Sequence, residues 1–276
     1  MSAVRLATKY VEKPWGRTQL PDFFPDGAGR RIGEVWFDGP QGAPPPALLV
    51  KYIFTSEKLS IQVHPGDAYA RAHGLPGGKS ECWFILDAEP GATLGMGTHE
   101  PLDAQTLRAA SLDGRIERLM DWKPVRAGDF FYIPAGTIHA IGAGITLVEV
   151  QQNVDVTYRL YDYGRPRELH LDDGVAVSRA EPYGSAGLNV AGKDAATLLD
   201  RPDAPFRLAL ETHAPGETRI GAAGPGWFIP LTGHGLIDGA PWAAGQCWLM
   251  EGGAVLDCAG EARALVASRQ ATDIQT

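Results

Sequence analysis

Glycine and proline interrupt this chain so often that no element can run long: 34 glycines and 21 prolines among 276 residues are spread throughout without a period. Between them recur short runs rich in β-branched and aromatic residues, at 47–53, 59–63, 81–86, 129–133, 146–151 and 157–160, each bounded by Gly, Pro or Asp. Runs of that length and spacing predict an all-β chain built as barrels or sandwiches. One segment departs from the pattern. Over 103–120, Leu107, Ala110 and Leu112, then Ile116, Leu119 and Met120, fall at helical intervals around an Asp-Gly turn, which predicts two short helices. After Tyr183 a polar, small-residue stretch leads to about Pro205, and strand-like runs resume at 206–211, 226–230, 246–250 and 263–267. The expected organisation is two β-domains: residues 1–184 with a helical insertion around 103–120, and a smaller one at 185–276.

The whole-chain balance narrows the partners. A net charge of −8 and a pI near 5.4 offer no basic surface to track a nucleic-acid backbone or an anionic membrane. An anionic ligand would therefore need a local cluster of Lys, Arg and backbone N–H groups working against the global field. Cys82, Cys247 and Cys258 are sparse, odd in number and free of CxxC spacing, which argues against a disulfide framework and a thiolate metal site. The first residues hold no apolar core of a signal peptide, and no stretch of eighteen apolar residues occurs. A soluble, cytoplasmic protein is expected.

Two segments carry chemistry. In Leu59-Ser60-Ile61-Gln62-Val63-His64-Pro65, strand alternation puts Ser60, Gln62 and His64 on one face and Leu59, Ile61 and Val63 on the other. A surface strand has the same alternation. The second segment, Gly128 to His139, runs a strand through Pro134, Ala135 and Gly136 to a histidine in apolar surroundings. An isolated histidine there reads equally as a core or turn residue.

The second segment matches the C-terminal half-motif of the cupin superfamily at every fixed position through His139, although Ala143 stands where a closing asparagine is usual. In the first half-motif Gln62 replaces the first of two histidines, and the next plausible glutamate, Glu81, follows His64 by seventeen residues. A Gln-x-His pair, a long loop, and then Gly-Lys-Ser-Glu leading into an aromatic strand resembles the type I mannose-6-phosphate isomerases in their short bacterial form. Pro14-Trp15-Gly16, Lys51, Lys79 to Trp83 and the run from Glu149 to Asp162 fit the same family, over roughly residues 10–182. The C-terminal third resembles it only in composition and strand spacing.

The resemblance implies a fold of two cupin-like β-barrel or jelly-roll domains, with metal only in the first. It implies one Zn²⁺ held by Gln62, His64, Glu81 and His139, an N₂O₂ set that also accepts other divalent metals. It implies an aldose–ketose isomerase acting on mannose 6-phosphate and fructose 6-phosphate through a cis-enediol(ate). Arg159 matches the catalytic arginine, Glu149 is the candidate proton shuttle, and Ser60, Lys79 and Lys51 match substrate or phosphate contacts. Glu149 reads alternatively as a strand-end ion pair with Arg159, Lys58 as a solvated charge, and Trp15 as either a sugar platform or a core plug. His73, His99, His170, His213 and His234 are weaker candidates. The competing functions are a non-isomerase metal cupin, such as an oxygenase, and a sugar-phosphate-binding module. The expected partner is a small sugar phosphate, with no nucleic acid and no membrane.

Overall fold

The computed structural model describes residues 3–27, 29–221 and 224–270. Four antiparallel sheets carry the chain. The first has seven strands, ordered Leu188–Asn189, Asp129–Ile133, Glu81–Ala88, Ile145–Gln152, Leu48–Phe54, Ile32–Asp38 and Ala7–Arg17. Facing it is a five-stranded sheet, Tyr158–Tyr161, Ile61–Val63, His139–Ile141, Thr93–Thr98 and Met120–Pro124. Between these two lies a core containing Trp15, Ile53, Trp83, Ile85, Phe131 and Leu147. The six-stranded sheet of the C-terminal third, centred on Phe206–His213 and Ala262–Arg269, faces the four-stranded sheet Gly216–Ile220, Ala254–Cys258, His234–Ile237 and Ala240–Ala243. The all-β expectation therefore holds.

Strand alternation explains how the layers stack. Leu48–Phe54 is buried along its whole length, because both faces of its sheet are covered. Its odd positions Lys51 and Ile53 point into the barrel. Its even positions Val50, Tyr52 and Phe54 point outward, where they meet Cys82, Phe84, Phe206, Leu208, Trp227 and Leu265 in one continuous core. The seven-stranded sheet is thus the shared wall of the structure: one face lines the first barrel and the other packs on the C-terminal sheet.

The helical insertion forms where expected, as Ala104–Asp113 and Ile116–Leu119. The Asp103 side chain accepts from the Thr106 amide at 2.7 Å, and Gly114 closes the first helix in the left-handed region at φ 80°. Leu107, Ala110 and Ile116 pack with Ile138, Ala140 and Leu160 over the five-stranded sheet, so the helices cap the barrel on the side away from the shared wall.

We propose that the chain divides near residue 184 into two β-units that exchange edge strands. Leu188–Asn189 joins the first sheet beside Asp129–Ile133, while Val4–Arg5 pairs with Trp248–Glu251 at the edge of the C-terminal sheet. The Ala3 amide also donates to Asp238 Oδ2 at 2.8 Å, and that of Leu6 to the Cys247 carbonyl at 2.9 Å.

Phe206 is fully buried in the shared core. Phe206→Ala is expected to cost about 3–5 kcal/mol of stability, because the cavity cannot close between two sheets held by their own ladders. Urea unfolding followed by tryptophan fluorescence should show a lowered midpoint in a single transition, since the core spans both units.

Candidate metal centre and active site

Three strand ends converge inside the first barrel. His64 follows Ile61–Val63, Glu81 opens Glu81–Ala88 and His139 opens His139–Ile141. The cross-strand pairs His139 with Gln62, and Glu81 with Gln151 and Ile133, fix where each side chain emerges. The Pro134-Ala135-Gly136 turn delivers His139, and Gly136 takes φ 87°, a conformation that a side chain would strain.

The candidate ligand atoms of His64, Glu81 and His139 lie within 4.8 Å of one another, and all three residues are about 1 % exposed. His64 Nε2 sits 3.3 Å from Glu81 Oε2, and His139 Nε2 sits 3.3 Å from Glu81 Oε1. Yet both ring nitrogens of His64 and both carboxylate oxygens of Glu81 are buried without a hydrogen-bond partner among the described residues. Orphaned polar atoms at that depth are costly unless a cation satisfies them. His139 Nδ1 lies 2.9 Å from the Thr137 carbonyl, which acts as its acceptor and leaves the Nε2 lone pair directed at the cluster.

Protonation states agree with this arrangement. Burial, reinforced by Lys79, pushes His64 down to about 3, and burial outweighs Glu81 to lower His139. Burial would raise Glu81, but the Lys79 ammonium 3.4 Å away leads the influences that outweigh it and hold the carboxyl well below its usual range. Two neutral imidazoles and one carboxylate, dry and mutually oriented, form a donor set that fits a divalent ion.

Gln62 stands beside the cluster with its amide the other way round from a ligand. Its Nε2 is 3.3 Å from His139 Nε2, while its Oε1 accepts from Ser60 Oγ at 3.0 Å. A half-turn of the terminal amide would present Oε1 to the cluster and let Nε2 donate to Ser60.

From the cluster a cavity of about 460 Å³ opens, walled by Ser60, Gln62, Lys79, Glu81, Lys51, Glu149, Trp15, Trp36, Glu34, Arg159 and Arg167 among others. Glu149 pairs with Lys51 at 3.2 Å through Oε1 and accepts from Trp83 Nε1 at 3.0 Å through Oε2. Arg159, the partner considered for it from sequence, instead donates to the Glu168 carbonyl at 2.8 Å. Lys79 lies 3.4 Å from Glu81. Burial would lower Lys51, but Glu149, then Glu34 and Glu81, outweigh it and raise its affinity for a proton. Arg159 is different. Burial and the nearby Arg167 both disfavour its charge, and its Nε is buried without a partner. Two guanidiniums facing one cavity form a local positive patch in an acidic chain.

The structure thus gathers all nine residues singled out from sequence around one cavity or the cluster beside it. Trp15 is 2 % exposed, so it joins the core while also lining the cavity. His73, His99 and His234 are exposed, and His170 accepts through Nδ1 from the Arg159 amide at 3.2 Å. Arg167, Glu34 and Trp36 were not anticipated. Arg167 is held by two bonds to Asp162 at 2.5 and 2.7 Å. An Arg-Pro-Arg segment just beyond the Thr-Tyr-Arg run was the available signal for it.

No family model matches the chain. It is 36 % identical over 200 residues to mannose-6-phosphate isomerase of Streptococcus mutans, covering 69 % of this chain and 62 % of that protein. It is 36 % identical over 207 residues to mannose-6-phosphate isomerase ManA of Bacillus subtilis, covering 61 % and 65 %. The match thus spans a little under two thirds of those relatives' length. The Bacillus subtilis protein YvyI, which carries the same name provisionally, is 34 % identical over 63 % of this chain and 67 % of its own. The crystal structure of mannose 6-phosphate isomerase from Bacillus subtilis superimposes with a TM-score of 0.79 at 25 % identity, over 97 % of this chain and all of that one. A zinc-bound mannose 6-phosphate isomerase shares the fold, with a TM-score of 0.71 at 15 % identity over 98 % of this chain. On these grounds the chain belongs to the mannose-6-phosphate isomerase family.

Proposed function

We propose that this protein is an aldose–ketose isomerase that interconverts mannose 6-phosphate and fructose 6-phosphate, with zinc held by His64, Glu81 and His139 and joined by Gln62 after its amide turns. The observation that carries the reading is the dry His–Glu–His cluster opening onto a cavity with a held carboxylate on one wall and two arginines on another. When bound, zinc supplies Lewis-acid polarisation of the sugar's carbonyl and hydroxyl oxygens. We place these reactions in the cytoplasm, in keeping with three buried, unpaired cysteines.

The residues divide the remaining work. Arg159 and Arg167 take the phosphate or the developing oxyanion, because a planar fork matches either and Arg159 has an unused N–H. Ser60, Lys51 and Lys79 stay candidate substrate contacts; both lysines already face carboxylates, which directs them toward sugar hydroxyls rather than phosphate. Glu149 moves the proton between C1 and C2. Its two oxygens are fixed from opposite sides of its strand by Lys51 and Trp83, so it meets substrate without reorganising.

Chelation is expected to remove about one equivalent of zinc per chain together with isomerase activity, both returning on adding metal. His64→Ala, Glu81→Ala or His139→Ala should each lower metal content measured by elemental analysis. Metal-free protein that keeps its rate would overturn the assignment. A rate on glucose 6-phosphate matching that on mannose 6-phosphate would overturn the substrate.

The arginines separate kinetically. Arg159→Ala should retain metal and lose roughly 10²-fold in kcat, with kcat/KM falling equally, as when a preorganised charge leaves an oxyanion site. Arg167→Ala, which removes a guanidinium already held by Asp162, should raise KM and leave kcat within about threefold, as expected for uniform phosphate binding. Steady-state kinetics on mannose 6-phosphate distinguishes the two.

A further inference from the structure

We propose that Trp83 and Trp36 are positioning residues that fix the Glu149–Lys51 pair against the metal centre. The proposal rests on the reading of Glu149 as the proton shuttle. Phe131, Trp83, Glu149, Lys51, Trp36 and Lys9 are directly opposite one another on six consecutive strands, so they form a single row across the inner face of the seven-stranded sheet. Neighbours in such a row stand close enough to set each other's rotamers.

Each indole holds one end of the ion pair. Trp83, fully buried, donates from Nε1 to Glu149 Oε2 at 3.0 Å, and its ring packs edge-on to His139 at 5.4 Å between centroids. It therefore connects the carboxylate to the ring of a metal-binding histidine. Trp36 lies 4.8 Å from the Lys51 ammonium and 5.1 Å from that of Lys9, its neighbours on either side of the row. With cations at both flanks, Trp36 holds lysine rather than offering a free face to a sugar. Its own rotation is fixed by Nε1, which donates to Glu34 Oε2 at 2.7 Å, and Glu34 also pairs with Lys13 at 3.5 Å.

This arrangement answers a physical problem. A buried lysine and glutamate attract strongly, and left alone they would settle into whichever contact is shortest. Lys51 is drawn the other way by the Trp36 ring, and the second oxygen of Glu149 is drawn away by the Trp83 N–H. The carboxylate is thereby oriented by two donors on opposite sides, with its plane set relative to His139.

The test is a double-mutant cycle read in kcat and KM on zinc-loaded protein with mannose 6-phosphate. Trp83→Phe keeps the packing and removes the N–H; it should lower kcat about tenfold, the equivalent of one hydrogen bond to a charged group, with KM within about twofold and zinc content unchanged. In a Glu149→Gln background the same change should alter kcat by less than about twofold, because Trp83 acts through the group already lost. A full multiplicative effect there, or wild-type kcat for Trp83→Phe, overturns the proposal. Wild-type kcat for Glu149→Gln overturns the shuttle reading instead, and the positioning role falls with it. If Trp83→Phe fails to fold or loses zinc, the Trp36 series decides. Trp36→Leu should lower kcat several-fold, and Trp36→Phe, which retains a π-face, should recover most of that loss; equal losses in both overturn the proposal.

Discussion

A carboxylate that is 1 % exposed, between two imidazoles that burial keeps neutral, is the constraint from which the rest of the structure follows. In water Glu81 would need no help. Inside the barrel an ionised group is tolerable only with compensating charge and oriented donors. Lys79 supplies part of that, and the remaining lone pairs require a cation. The demand is geometric: three strands from distant parts of the chain must start at the same place, and a register shift by one residue in any of them would send its ligand to the opposite face. The Ser80 amide bonded to Gln152 and the Gly136 amide bonded to the His64 carbonyl pin those starts to one another.

Placing charge on one face of a sheet requires the other face to compensate in stability. The inner face of the seven-stranded sheet carries Lys51, Glu149, Glu81 and Glu34, all nearly dry, and desolvating them costs more than their mutual attraction readily returns. The outer face of the same strands carries Val50, Tyr52, Phe54, Phe84, Val148 and Val150 against the C-terminal sheet. Burial of that apolar surface is the favourable term set against the polar interior. Among the described residues the C-terminal third supplies none to the cavity, yet its sheet backs the strands that carry it. It gives the charged strands a rigid backing.

Much of this was legible along the chain, and the exceptions have physical reasons. Runs such as 129–133 and 146–151 announce themselves, because β-branched and aromatic residues fill a pleated surface covered on both sides. Ala7–Arg17 and Thr93–Thr98 were not anticipated, since the first carries Lys, Glu and Pro at a sheet edge and the second carries Gly95 and Gly97 between bulkier neighbours. The candidate ligands His64 and His139 were legible through the family resemblance, because the motif around each is local, whereas the orientation of the Gln62 amide, set by Ser60 and His139, was not. The partner of Glu149 was not: whether it meets Arg159 or Lys51 depends on which strands lie side by side, and only the register with Leu48–Phe54 settles it for Lys51. The same holds for Trp36 and Glu34, whose sequence neighbourhood gives no sign of the cavity they line.

The exchanged edge at Val4–Arg5 gives the fold an order in time. Its partner Leu249 leaves the ribosome about 240 residues later, which at roughly 5–20 residues per second is a delay of about 12–50 s. Only after Tyr158–Tyr161 has emerged can a nascent chain close the first barrel, and for the roughly 90 residues that remain before Leu249, about 4–18 s at the same rate, the outer side of its largest sheet, with Tyr52, Phe54 and Phe84, has nothing to cover it. The newborn protein therefore passes through a stage that is chemically almost complete and colloidally unprotected, and its yield in a cell depends on how quickly the last third arrives.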